Sequence, residues 1–412
     1  MEKILKMKKY FGKTYMPAML GTAIEYYDIG LYGYMAPVLI QIFLPQFDKL
    51  SAYFYYFAFE IFAACCQILG SYIFGRMGDK EGRKKAMYYS MLGTSFITFI
   101  IAIIPTFEDI GIYAALLFAG CRATQSFFLG GEYNGGAIYC LEHERDSKKH
   151  GLISGIYGAS TVFGVLIAAL IATSIMHFGK EYFRLAYCLS LIFTILTYFL
   201  RRNMQETPEY TAMQTRTEEQ KSVKSTYKFS VFFAICLASL LCGILYGFPT
   251  RIFNVILPIA TGIDTVSIMI INCSMIVIYI FLLLFMGWLS DKYQPFKAMR
   301  RAALFVALLV LPAIALVETK NIIAIIFAKL IFTILSAALI GPLHAWTQSI
   351  SEVHNRYRQV SIAYSTGKMG AILLLPVTIL LFERYNNLFI PSAIIVFLAL
   401  AYYGYITLFK LR

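Results

Sequence analysis

Several ionisable residues of this chain lie inside long apolar runs. Each costs at least ~2.5–3.5 kcal/mol there on insertion scales, so such groups are functional candidates by default. Glu25 and Asp28 sit in the first run with i, i+3 spacing, on one helix face. Glu25 is about 11 residues into that run, roughly 16 Å deep at 1.5 Å per residue. Glu60 lies in the second run, nearer its outer end. The fourth run holds Arg122, Gln125 and Glu132. Gln125 and Glu132 share a face, and Arg122 adjoins Gln125 at i+3. A carboxylate that alternates between a dry site and an arginine can load and release a proton. Arg122 is therefore expected to pair with a carboxylate of the first run or with Glu132, the pair opening when proton or solute arrives. The competing reading is a permanent ion pair that fixes helix register.

The second half differs. Its acidic residues (Asp264, Asp291, Glu318, Glu352, Glu383) fall in links or at run ends, and its intramembrane charges are Arg251, Lys329 and Lys368, with His344. The asymmetry suggests proton handling in the first half and an anionic solute group met by the second. Lys368, near mid-depth, is the best carboxylate partner. Lys329 could snorkel outward. Arg251 follows Gly247-Phe-Pro249-Thr, which reads as a helix break, and His344 beside Trp346 reads as packing. Tyr26 and Tyr27, with Tyr32 and Tyr34, flank the first-run carboxylates. Aromatic faces attract quaternary ammonium groups, although packing serves such rings equally well.

These residues sit in a chain of 412 residues that is 59% hydrophobic and 14% charged, with mean hydropathy +0.67. Soluble domains are nearer 45–50% apolar and about 25% charged. The composition excludes an ordinary soluble enzyme, a DNA-binding module, a disordered chain and a disulfide scaffold, and leaves an all-α integral membrane protein. No nucleic-acid partner is implied by the net charge of +13, because the basic residues cluster in short links between apolar runs. His143-Glu144 begins a His-Glu-x-x-His pattern, but position 147 is Ser; no Gly-x-x-x-x-Gly-Lys-Ser/Thr cradle occurs. The eight Cys have no metal-ligand spacing. No metal, cofactor or enzymatic activity is expected.

Twelve spans are expected, near 14–44, 52–75, 86–104, 110–140, 151–176, 183–200, 229–258, 265–289, 302–317, 321–350, 359–382 and 387–409. The basic start runs on through Glu25 and Asp28 without a clear cleavage site, so it reads as the first span. With the N-terminus inside, the cytoplasmic links and tails carry 27 Lys or Arg and the opposite links 5. That split places both termini in the cytoplasm.

The sequence also repeats. Gly75-x-x-x-Asp79-x-x-Gly82-Arg83 follows span 2, and Gly287-x-x-x-Asp291 follows span 8, 212 positions on. The second copy has Gln294 and Pro295 where the first has Gly82 and Arg83. Glu142-x-x-Arg145 after span 4 is echoed by Glu352 and Arg356 after span 10. The expected organisation is a six-helix bundle over 1–200, a cytoplasmic linker over 201–228 and a six-helix bundle over 229–412, the pseudo-symmetric layout of a rocker-type carrier with its site at the midplane. Glycines allow close approach in the loop, and the Asp can accept from the amides of a helix N-terminus. Gly75, Asp79, Gly82, Arg83 and Asp291 are thus candidate gating residues.

The first loop resembles the signature loop of the major facilitator superfamily. Glu25-Tyr26-Tyr27-Asp28, Arg122-Ala-Thr-Gln125 with Glu132-Tyr-Asn-Gly135-Gly136-Ala137, and Arg201-Arg202 with Glu206-Thr207-Pro208 resemble its metabolite:proton symporter branch. Within that branch the likeness is greatest to bacterial proline/glycine-betaine transporters; 2-oxoglutarate, citrate and shikimate permeases belong there too. Ser126 departs from the family's usual Gly. The resemblance covers 15–210 well and is weak after 230. It implies proton-coupled symport of a small zwitterionic or carboxylate-bearing solute in a bacterial inner membrane, with a di- or tricarboxylate or shikimate as the alternative solute and a monomer expected. The residues themselves put Glu25, Asp28, Arg122 and Glu132 in coupling and Tyr26, Tyr27, Gln125 and Lys368 at the solute. Drug efflux, a non-transporting receptor and a channel are the alternatives.

Overall fold

A backbone inside hydrocarbon has no water to bond, and a helix satisfies its amides internally. The apolar runs accordingly form long helices in the computed structural model, which describes residues 14–47, 49–144, 146–215, 228–263 and 265–409. The basic N-terminal tail, Arg145, the 216–227 part of the linker, Asp264, Lys410 and Arg412 lie outside the described residues.

Helix α1 is Met16–Tyr34 and resumes after Met35 as Ala36–Phe43. Then come α2 Lys49–Lys80, α3 Arg83–Ile103, α4 Ile112–His143, α5 His150–Phe178 and α6 Phe183–Arg202. After a short helix, Pro208–Gln214, follow α7 Phe229–Gly247, α8 Thr265–Tyr293, α9 Pro295–Glu318, α10 Ile322–Ile350, α11 Arg356–Tyr385 and α12 Phe389–Leu408. Among the described residues, eleven helices are long and apolar enough to cross a membrane. The twelfth element is α1, whose apolar run is diluted by Glu25 and Asp28. Several helices overrun the expected spans. α2 continues to Lys80, and α9 starts at Pro295 rather than near 302. Hydropathy marks the apolar stretch, whereas the helix extends into the polar turns. Pro295 suits a first helical position, where its missing N–H is not needed. The break expected near Pro249 is a π-helical turn at Phe248–Ile252, and the helix then runs on as Phe253–Thr261. A proline cannot donate its ladder bond, and a wider turn accommodates it.

The chain forms two compact units. The first holds residues up to Arg145, Ser160–Thr226 and Glu352–Ile362; the second holds Asp146–Ala159, Tyr227–Ser351 and Ala363–Arg412. In the first unit α4 packs against α2 and α3, and α6 against α1 and α3. In the second, α10 packs against α8 and α9, and α12 against α7 and α9. Each pairing recurs six helices later, so the repeat seen in the loops extends to the packing of both bundles.

The first unit's core is aromatic. Tyr32 and Tyr56 stack at 4.3 Å, and each hydroxyl donates to the other residue's carbonyl. Phe43 stacks on Phe118 at 4.5 Å. The α2–α4 contact is closest at Gly70 and Gly130, where Ser71 Oγ donates to the Gly130 carbonyl at 3.1 Å. A Cβ on Gly70 would collide with the Phe127 carbonyl, whereas Gly120, further along α4, has open space. Gly70→Leu is expected to abolish monodisperse protein in detergent, and Gly120→Leu to leave the chromatographic profile unchanged.

Candidate functional site

Asp28, 2% exposed, faces α3 and α4. Its Oδ2 accepts from Thr98 Oγ1 at 3.0 Å and from Gln125 Nε2 at 3.4 Å. Gln125 Nε2 also donates to Thr98 Oγ1 at 2.8 Å, and its carbonyl oxygen accepts from Arg122. The Arg122 guanidinium lies over the Tyr32 ring, 4.1 Å from the centroid. The Arg122–Gln125 spacing thus becomes a relay: arginine to amide, amide to carboxylate, with Thr98 bracing both. Glu25 is buried one turn away on α1.

Glu132 forms a separate centre. Its partner is not Arg122 but Arg201, in the last turn of α6, through a two-pronged ion pair with one bond of 2.8 Å. Ser90 of α3 donates to the same carboxylate at 3.1 Å. Arg201 is itself buried and also donates to the carbonyls of Pro17 and Met87. The reason is reach. Arg122 and Glu132 are ten residues apart on one helix, about 15 Å along its axis.

At the α2–α3 link, Asp79 accepts from the backbone amides of Tyr357 and Arg358, both at 3.0 Å. These amides open α11, and the segment Glu352–Ile362 belongs to the first unit. Gly75 lets the α11 backbone approach, since a Cβ there would press on Arg358 Cα. Gly82 turns the chain with φ 112°, a conformation that favours glycine. Arg83 is fully buried. It forks onto Glu142 at 3.1 and 3.2 Å and donates to the carbonyls of Gly78 and Val353 at 2.7 Å each. It also reaches Asp79 at 3.3 Å. Glu142 accepts from Arg356 and Thr207 as well, and Arg356 bonds Glu209. Glu206 accepts from the amides of Arg83, Lys84 and Thr207 and so caps α3. Burial pushes the Glu206 carboxyl above its ordinary range, against the pull of those amides.

The second copy keeps the Gly and the Asp but not the later Gly-Arg. Asp291 accepts from the amides of Gly151 and Leu152 at 2.6 and 2.8 Å, at the start of α5. Gly287 allows this approach, because a Cβ would meet Gly155 Cα at 2.8 Å. Gln294 occupies the place of Gly82 and still adopts φ 69°, ψ 134°. Pro295 stands where Arg83 would be, so no guanidinium fork forms.

In the second unit Lys329 is 1% exposed and donates to Asn254 Oδ1 at 3.2 Å. It is buried rather than snorkelling. Lys368 and Arg251 are half-buried. His344 is buried against the Tyr157 ring at 5.4 Å, and Trp346 against Tyr402. Of the tyrosines flanking the carboxylates, Tyr27 donates to the Ala186 carbonyl at 2.8 Å and Tyr32 stacks on Tyr56. Tyr26 faces Tyr133 at 5.1 Å. Glu60 is half-buried on α2 and acts electrostatically on Tyr32 and Tyr56.

Sequence reasoning missed Thr98, Ser90 and the role of Arg201. A signal existed: Ser90, Thr94 and Thr98 recur every four residues, a polar stripe on an otherwise apolar α3. Removing one partner of a buried pair leaves a bare charge, at about 3–5 kcal/mol. Arg201→Ala should therefore sharply lower the detergent unfolding temperature, and pairing Arg201→Met with Glu132→Gln should recover most of the loss. Gln294→Gly should raise that temperature by relieving backbone strain of about 1–3 kcal/mol.

Residues 18–375 match the family model of the Major Facilitator Superfamily. The chain is 28% identical over 401 residues to the proline/betaine transporter of Escherichia coli K12, covering 92% of this chain and 79% of that one. It is 27% identical over 403 residues, with the same coverage, to the glycine betaine/proline/ectoine/pipecolic acid transporter OusA of Dickeya dadantii. Its fold is similar to that of the proton:xylose symporter XylE, with TM-score 0.82 at 15% identity over 98% of this chain and 96% of that one. It is also similar to the human organic anion transporter MFSD10, with TM-score 0.69 at 12% identity over 95% and 98% of the two chains. A match across most of its length, carried by two six-helix bundles and a doubled Gly-x-x-x-Asp loop, establishes that this chain belongs to the major facilitator superfamily, a family of membrane transporters.

Proposed function

We propose that this transporter couples proton entry to uptake of a small zwitterionic or carboxylate-bearing solute of the proline/betaine type, by alternating access. The observation that carries the reading is the buried relay Arg122–Gln125–Asp28, in which a carboxylate is held by neutral donors with a cation one step away. Protonation of Asp28 removes the charge that Gln125 and Thr98 hold, and the relay to Arg122 loosens. Glu132 with Arg201 is a second coupling pair, and Glu25 lies on the same α1 face as Asp28. The names of the relatives support the solute class, and the name of XylE supports a proton as coupling ion.

A zwitterion needs an anionic and a cationic contact. Gln125, Tyr26 and Tyr27 are assigned to the solute on the first unit, Tyr27 through its ring because its hydroxyl is engaged. Lys368 is assigned to the carboxylate. The burial of Lys329 beside a neutral amide favours a second reading, a di- or tricarboxylate, which would use Lys329 together with Lys368. Gly75, Asp79, Gly82, Arg83 and Asp291 are assigned to gating. The protein acts as a monomer in a bacterial inner membrane with both termini cytoplasmic, with the proton as its coupling ion and no further cofactor.

Proteoliposomes with an imposed pH gradient test this. Acid outside should drive accumulation of radiolabelled proline or betaine, and Asp28→Asn should abolish accumulation while retaining solute exchange. Accumulation of 2-oxoglutarate or citrate instead would select the second reading. Extrusion, or full accumulation by Asp28→Asn, would overturn the proposal.

A further inference from the structure

Four polar atoms around Asp28 are buried and have no partner at ordinary hydrogen-bond geometry, Asp28 Oδ1, Arg122 Nε, Tyr187 Oη and Ser190 Oγ, although Ser190 is near enough to Asp28 to act on it as a donor. Tyr187 and Ser190 are on α6, one helical turn apart, and both are 0% exposed. Ser190 stands beside the Asp28 carboxylate, and Tyr187 lies within electrostatic reach of both Asp28 and Arg122. The other side of Asp28 is committed, because Oδ2 is taken by Thr98 and Gln125. Native proteins rarely leave buried polar groups unsatisfied, and a cluster of them marks bound water or a functional exchange. A water held by three or so such groups is a regular part of protein interiors.

We propose that Tyr187 and Ser190 form, with Asp28 Oδ1 and Arg122 Nε, a buried hydration site through which Asp28 exchanges its proton. The ligand is water, one or two molecules, and transiently its protonated form. Donors and acceptors balance. Arg122 Nε donates and ionised Oδ1 accepts, while the two hydroxyls do either. On loading, an O–H bond of the protonated water breaks, a new O–H bond forms at Oδ1, and neutral water remains. The hydroxyls then turn, donating to the carboxylate before loading and accepting from the acid afterwards. Thr98 cannot turn in this way, since its hydroxyl hydrogen is shared between Asp28 and the Thr94 carbonyl. The charged and titratable groups around the site are Arg122 from α4, Tyr187 from α6 and Tyr27 from α1, with Glu60 of α2 acting on the neighbouring Tyr32. Tyr187 and Ser190 are positioning residues, and this inference rests on the reading of Asp28 as a proton site.

The test needs no solute. In purified protein, infrared difference spectra between acid and alkaline buffer should contain a carboxyl C=O band that Asp28→Asn removes. Tyr187→Phe and Ser190→Ala should each move that band to higher frequency, as a carboxyl that has lost hydrogen bonds does. They should also slow its response to deuterated water. Should Tyr187→Phe fail to fold, Ser190→Ala carries the test. In proteoliposomes both variants should lower proton-driven proline accumulation about tenfold, consistent with loss of one hydrogen bond to a charged group, and leave proline exchange near wild type. A band unmoved in both variants, or the absence of any band assignable to Asp28, overturns the hydration site. A shifted band with no proton-driven transport by the wild type leaves the site standing and overturns the symport reading.

Discussion

A carboxylate in hydrocarbon must find its partners inside the protein, and in the first unit α4 supplies the face on which they meet. Gln125, Glu132 and Glu142 lie along that helix, and each connects to a different neighbour. Gln125 reaches Asp28 of α1 and Thr98 of α3; Glu132 holds Arg201 of α6; Glu142 holds Arg83 of α3 and Arg356 of α11. The close α2–α4 contact at Gly70 and Gly130 seats that helix firmly. The three polar centres are therefore spaced by one element, so the Asp28 relay, the α6 anchor and the loop network are joined through α4.

Much of this was legible in the sequence. Runs of apolar residues give the twelve elements, and the buried charges mark the polar centres, because each such charge is costly without a purpose. The Gly-x-x-x-Asp spacing gives the helix-capping role of Asp79 and Asp291. What escaped reading are partners whose residue types are common. A serine or threonine in a span bonds its own helix backbone as easily as a distant carboxylate, so Thr98 and Ser90 carried no individual signal. Arg201 sits where a basic residue is expected for topology alone, and this hid its ion pair with Glu132. Among the tyrosines of α1, Tyr27 gives its hydroxyl to the Ala186 carbonyl and Tyr32 stacks on Tyr56, long-range partners that spacing along one helix does not reveal.

The two halves have kept their helix pairing while their chemistry has diverged. The first loop is a closed network in which Arg83 has every donor direction used, with Glu206 capping the adjoining helix. The second retains one aspartate on two amides, a glutamine in a backbone conformation suited to glycine, and a proline in place of the arginine. One clasp is many-stranded and the other depends on a single carboxylate.

The placement of Arg122 on Tyr32 has a consequence of its own. An aromatic face attracts a cation through its quadrupole but offers no fixed lone pairs, so the ring supports the guanidinium while the Gln125 carbonyl oxygen sets its direction. Because Tyr32 is itself pinned by its reciprocal bonds with Tyr56, the surface beneath the arginine is fixed from α2. The setting of a charge on α4 is thereby tied to a contact between α1 and α2.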